Sequence, residues 1–176
     1  KVNWLSAARF FLFGSRDVWF VVALPVFLYE SLGWSFTRVG TFMAVWVIGY
    51  GIVQASAPAL LGKKDAANAP GGWTVTLWAA GLALIPAVIA MLLPRDPEMI
   101  LVGGLLVFGA VFAINSAVHS YLIVSWSDHD RVSMNVGFYY MANAGGRLAG
   151  TVLSGWMYQY AGLEACLWMS AAFLVM

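Results

Sequence analysis

Charge is scarce in this chain. Only 10% of its 176 residues are Asp, Glu, Lys or Arg, against about 25% in an ordinary soluble domain. The net charge of +1 and the lack of a basic stripe interleaved with exposed aromatics exclude a nucleic-acid footprint. The single cysteine, Cys166, excludes an intrachain disulfide and reads as a small buried hydrophobe. Signatures of catalysis are missing too. There is no HExxH, GxSxG or P-loop, no Cys/His metal spacing and no close carboxylate pair within one span, so an enzyme, a metal centre and a cofactor are all poor readings. The loop Asp128-His129-Asp130-Arg131 reads as a polar turn rather than a metal site. No initiator Met and no charged leader precede a short apolar stretch, so the expectation is a fragment without a signal peptide.

What the chain has in abundance is apolar length: 62% of residues are hydrophobic and the mean hydropathy is +0.82. A bilayer core about 30 Å thick takes about 20 apolar residues per helix. Five spans of that kind are expected, at 4–29, 39–61, 73–93, 99–124 and 132–157, with a shortened sixth at 163–176. The predicted fold class is therefore all-α and integral to the membrane, one unit over 1–176. Short Gly-, Pro- and Asp-bearing connections leave no room for a soluble domain. With Lys1 in the cytoplasm, Lys1, Lys63, Lys64 and Arg131 gather on that side, which the positive-inside rule favours, while Arg38 and Arg95 fall on the other.

Breakers inside the spans need a reason. Pro25, Pro58 and Pro86 point either to curved helices around a cavity or to the ordinary tolerance of proline in membranes. In the fifth span Gly146 and Gly150, flanked by Gly145 and Gly155, form a GxxxG step that admits another helix closely.

The polar residues at bilayer depth are the functional candidates, because a charge there is costly, about 2.5–3.5 kcal/mol on insertion scales. Arg16 and Asp17 sit mid-way along the first span. Arg9, Phe13, Arg16 and Phe20 share one helical face, and Asp17 points about 100° away, so Arg16 and Asp17 are expected to be poor partners for each other. Arg9 lies near enough to the span's end to snorkel outward. Arg16 reads as a guanidinium fork for an anion, or as half of a structural ion pair. Tyr139, Asn143 and Arg147 repeat at i, i+4 and i+8 in the fifth span. They read as a cavity-lining stripe whose arginine pairs with Asp17 or with ligand, the competing reading being a bond from Arg147 to helix carbonyls. An exchange of the Asp17 and Arg147 charges should rescue single-mutant defects. In the fourth span Asn115 and His119 share a face, with Ser116 and Ser120 beside them. His119 reads as a proton carrier or as an interhelical hydrogen-bonding group. Asn115 joins the candidate substrate residues.

Six hydrophobic spans with an intramembrane arginine in the first and glycine packing in the fifth resemble one half of a major facilitator transporter. The loop Gly62-Lys63-Lys64-Asp65 stands where that superfamily carries a basic motif, in degenerate form. The stretches NWLSAARFFLFGSRDVWFVVALPVFLYESLGWSF, VWVIGYGIVQASAP and GFYYMANAGGRLAGTVLSGW more specifically resemble the C-terminal half of the ArsJ-type organoarsenical efflux permeases. That resemblance implies export of 1-arseno-3-phosphoglycerate across the inner membrane, arsenate resistance, an N-terminal half as partner, and a functional link to glyceraldehyde-3-phosphate dehydrogenase. Substrate contacts would fall on Arg16, Arg147, Asn143, Tyr139 and Asn115, with Asp17 and His119 as proton-coupling or ion-pair groups. The residue chemistry alone says only that a small anion is bound. Export of another organic or phosphorylated anion, and a non-transporting structural subunit, stand as alternatives. Proton antiport and uniport are equally open.

Overall fold

A computed structural model describes residues 2–60, 72–127 and 132–176, all helical or in short turns, with no strand among them. The basic loop with Lys63 and Lys64, the Asp128–Arg131 loop and Lys1 lie outside the described residues. Among the described residues six helices follow in order: α1 (Val2–Phe20), α2 (Ala23–Glu30), α3 (Phe36–Leu60), α4 (Gly72–Leu92), α5 (Pro97–Ser125) and α6 (Val132–Val175). Among the described residues, Val2–Glu30, Phe36–Ser56 and Pro97–Ser125 are long and apolar enough to cross a membrane, and Thr76–Leu92 is a shorter apolar helix.

The first expected span is two helices, not one. Pro25 lacks the N–H that would bond to the Val21 carbonyl and its ring crowds that carbonyl, so the helix interrupts at Val21 and Val22 and restarts at Ala23. The Ala23 N–H donates instead to the Ser154 hydroxyl of α6 at 3.0 Å. A neighbouring helix thus accepts from the N–H that the interruption leaves free at Ala23, as hydrocarbon surroundings require. Pro86 lies inside α4, and Pro58 falls in the last turns of α3.

The connection expected between the spans at 132–157 and 163–176 is compressed into one residue. Helical structure runs through to Gly162, whose φ of 73° is open to glycine and costly for other residues. There the chain doubles back. Cys166 Sγ reaches the Ser154 carbonyl at 3.8 Å, a contact that a straight helix would forbid, since twelve residues rise about 18 Å. The two arms of α6, 132–161 and 163–175, are therefore successive antiparallel passes.

Turns between the other passes are capped locally. Gly33 takes φ 66°, and Ser35 Oγ accepts from the Arg38 N–H at the start of α3. Asp96 caps α5 by accepting from Met99 N at 3.1 Å, with Pro97 in the first turn, a favoured pairing at helix starts. Arg38 bonds Glu98 at 2.7 Å and lies 3.8 Å over the Trp34 ring, which places the starts of α3 and α5 at the same end of the bundle.

Within it, α1 packs mainly on α6, α4 on α5 and α6, and α3 on α5. Lipid tails are as apolar as leucine, so packing here depends on shape more than on escape from water. At the α1–α6 crossing, a Cβ on Gly146 would collide with the backbone of Phe10, and one on Gly150 with Gly14 O and Asp17 Cβ. The glycine step does let a helix approach closely, and that helix is α1. Aromatic edges fill the α1–α5 seam, with Trp19 against Phe108 at 5.3 Å and Phe13 against Phe112 at 5.2 Å. Gly109 leaves room for Trp46, whose indole donates to the Leu105 carbonyl at 3.0 Å.

Candidate functional site

The close α1–α6 crossing brings a carboxylate and two guanidiniums together. Asp17 is almost wholly buried, its side chain 1% exposed. Its Oδ1 accepts from Arg16 Nε at 2.6 Å and its Oδ2 from Arg147 Nε at 3.1 Å. The Asp17–Arg147 pair is thus present. The expectation that Arg16 and Asp17 would not partner is overturned: the arginine stem is long enough to swing around the helix and bring Nε back onto its neighbour, although the two Cβ atoms diverge.

Each arginine spends its Nε on Asp17. Among the described residues no oxygen takes the terminal nitrogens of either one. Those nitrogens form the edge of the planar fork that meets phosphate-like or carboxylate oxygens bidentately. Asp17 therefore orients both guanidiniums while leaving their donors available. Arg16 is 11% exposed, and Arg147 is 57% exposed on an open face.

Arg9, expected to snorkel, is a third member instead. It is 3% exposed and donates from one terminal nitrogen to the Ser116 carbonyl and hydroxyl of α5, both at 3.1 Å. Its guanidinium lies 4.2 Å from the Phe13 centroid, and that of Arg16 lies 5.0 Å from the same ring. The shared arginine face of α1 is real, with Phe13 between the two cations. Inward bonding beats snorkelling because α5 offers an oxygen pair at the depth of Arg9, and charge-assisted bonds to such a pair offset the lost hydration.

Three guanidiniums against one carboxylate leave a surplus of two positive charges around Asp17. Tyr50 of α3 completes the surroundings. It stacks on Trp46 at 5.5 Å and approaches Phe112 at 6.0 Å, and Phe112 in turn lies 5.4 Å from the Arg16 guanidinium. Sequence reasoning missed Tyr50 because a lone tyrosine in an apolar span carries no helical-spacing signal. For Arg9 the signal existed, the seven-residue step to Arg16.

The other expected residues divide. The stripe on α6 runs from buried to open: Tyr139 is fully buried, Asn143 partly so, and Arg147 exposed. Tyr139 packs beneath Arg9, 4.8 Å from ring centroid to guanidinium. Asn115 and His119 are not brought to the arginine cluster. They line a separate cavity between α1, α4, α5 and the second arm of α6, and neither Arg16, Asp17 nor Arg147 reaches it. No three His, Cys, Asp or Glu side chains gather as metal ligands among the described residues.

A helical membrane bundle with inward arginines and discontinuous spans is the architecture of a small-solute carrier. Residues 5–176 match the family description Major Facilitator Superfamily, and the chain belongs to that superfamily of membrane transporters. Its fold is the all-α, six-helix half of such a transporter. No curated protein and no solved structure matches the chain.

Proposed function

We propose that this chain is the C-terminal half of an efflux permease of the inner membrane that exports an organoarsenical anion, 1-arseno-3-phosphoglycerate, and so confers arsenate resistance. The observation that carries this reading is the double use of Asp17, which aligns Arg16 and Arg147 by their Nε atoms and leaves the outer edges of both forks without a partner among the described residues. Around a multiply anionic ligand these edges supply paired N–H donors, and the positive surplus of the cluster supplies the matching charge. Asn143, adjacent on the same stripe, has a buried Oδ1 without a partner, available to a substrate hydroxyl. The resemblance of the first, second and fifth spans to the ArsJ-type permeases narrows the anion to an arseno-organophosphate.

In this reading the open face around Arg147 meets the N-terminal half of the permease, and alternating access arises as the two halves rock about the site. The dehydrogenase that incorporates arsenate in place of phosphate would generate the substrate on the cytoplasmic side, where Lys1 is placed by the positive-inside reading. A second reading shares the same cluster: export of another phosphorylated anion, since the forks fit phosphate and arsenate oxygens alike.

The test uses the intact permease in everted vesicles supplied with glyceraldehyde-3-phosphate dehydrogenase, its nicotinamide cofactor, glyceraldehyde 3-phosphate and labelled arsenate, with labelled phosphate in parallel. Arsenic accumulation that requires the complete mixture and is lost in Arg16→Ala is the expected result. Accumulation of phosphate label alone would replace the arsenic reading by the second. Neither label entering, with protein folded in the membrane, would overturn both.

A further inference from the structure

The cavity behind α1 has the marks of a binding site that transport of an anion does not use. It encloses about 370 Å³, at the small end of the range of about 300–1,000 Å³ typical of ligand pockets. Ala8, Leu12, Ala79, Phe173 and Leu174 give it apolar walls, and among the described residues no Asp, Glu, Lys or Arg lines it. Against those walls stand Thr76 of α4 and, on one face of α5, Asn115 and His119. Asn115 is 1% exposed and His119 is 3% exposed.

Both have an atom without a partner: Asn115 Oδ1 and His119 Nδ1. The remaining amide of Asn115 is committed, since its Nδ2 donates to the Trp78 carbonyl of α4 at 3.1 Å, and that bond fixes which end of the amide stays free. A buried acceptor left unpaired costs about 1–3 kcal/mol, so such atoms normally find a partner. Oδ1 accepts only, and the partner it needs is a donor. The Arg9 guanidinium donates to Ser116 and is not part of the cavity lining.

We propose that this cavity is a second binding site, for a small uncharged molecule with an aromatic or aliphatic body and one hydroxyl or amide N–H donor. The body fills the space between α1, α4 and the second arm of α6. Its donor bonds Asn115 Oδ1, and His119 Nδ1 lies one helical turn away for a second polar group. An anion is disfavoured, because the walls offer no cation to offset its desolvation. A phospholipid fits poorly at both ends, its headgroup being charged and its acyl chains carrying no donor. Ala8 and Ala80 on the cavity wall are exposed at the bundle surface, so a neutral, mostly apolar molecule dissolved in the bilayer has a direct way in.

The test is saturable binding of labelled 1-naphthol to the full-length permease in nanodiscs, with protein-free nanodiscs as reference and naphthalene as the analogue lacking the donor. Saturable 1-naphthol binding is expected, about tenfold weaker for naphthalene and for Asn115→Leu, the loss anticipated for one buried hydrogen bond. Ala79→Phe fills the space and abolishes binding, and Ala79→Leu carries the same test with a smaller side chain should the larger one impair folding. Non-saturable uptake overturns the proposal. So does binding that survives both Ala79 variants, or that vanishes in Arg16→Ala with the Ala79 variants unaffected, since either result puts the probe elsewhere.

Discussion

Asp17 and Arg147 meet across the α1–α6 crossing at 3.1 Å, with the carboxylate 1% exposed and the guanidinium side chain 57% exposed. The asymmetry follows from the glycine step. Gly150 brings the backbone of α6 against Gly14 and the Asp17 Cβ, so the short acid is sealed in the seam while the long base reaches it from the open face. Arg16, on the acid's other oxygen, makes Asp17 the common partner of two cations.

Removal of the shared acid therefore costs more than removal of either base. Asp17→Asn strands Arg16 in a nearly buried position, and breaking a buried pair costs about 3–5 kcal/mol. Arg147→Ala leaves Asp17 paired with Arg16 and loses a half-exposed contact, about 1 kcal/mol or less. Melting midpoints of the detergent-solubilised intact permease check the order. Simple exchange of the charges, Asp17→Arg with Arg147→Asp, would set an arginine beside Arg16. The expected outcome is no rescue until Arg16→Gln is added, which replaces the plain two-residue expectation from sequence.

Lysine retains the charge of arginine and loses the fork. Because each Nε is already held by Asp17, a lysine at 16 or 147 must spend its one ammonium on the acid and has no second edge for a ligand. Arg16→Lys and Arg147→Lys are expected to keep the melting midpoint near that of the parent while lowering transport tenfold or more in everted vesicles. Unchanged transport with equal protein in the membrane would remove both residues from the substrate site.

The sequence made the passes legible because membrane length is written in apolar runs, and α3, α4 and α5 lie within a few residues of the expected bounds. It also made the α1 arginine face and the glycine step legible, since both are helical spacings. Two things were not. The Arg16–Asp17 contact depends on a side-chain torsion that spacing ignores, and the fate of Arg9 depends on oxygens supplied by Ser116, more than a hundred residues away. The separation of Asn115 and His119 from the arginines likewise reflects which side of α1 the face of α5 meets, a tertiary fact with no local signal.

Glycines of the fifth span are expected to differ sharply in tolerance. A Cβ at Gly146 meets the Phe10 backbone, and a Cβ at Gly150 comes within 2.7 Å of the Gly14 carbonyl oxygen, whereas at Gly155 the nearest atom is a Val22 methyl at 3.9 Å. Backbone cannot rotate aside, so Gly146→Ala and Gly150→Ala must push α1 from α6, at the upper end of the about 1–3 kcal/mol typical of overpacking. Gly155→Ala should be within about 0.5 kcal/mol of the parent, as for substitutions that disturb no specific packing. Fluorescence-detected size-exclusion melting of the three variants reads the difference directly. Equal midpoints would show that the two helices are not held at this crossing.

The interruption of the first span links Pro25 to Ser154. Pro25 prevents the regular bond to Val21, the chain loosens at Val21 and Val22, and the Ala23 N–H turns to the Ser154 hydroxyl of α6. Ser154→Ala leaves that buried donor without an acceptor, at a cost of about 1–3 kcal/mol. In a Pro25→Ala background the helix can close, the Ala23 N–H returns to the carbonyl four residues earlier, and Ser154→Ala should cost little. A double-mutant cycle on melting stability is thus expected to show strong coupling between two residues that are far apart in sequence. Additive losses would mean that Ser154 does not support the break. Transport read on the same four proteins then asks whether the interruption, one turn beyond Asp17, is needed for α1 to bend during the cycle: a Pro25→Ala protein that is stable and inactive would show that it is.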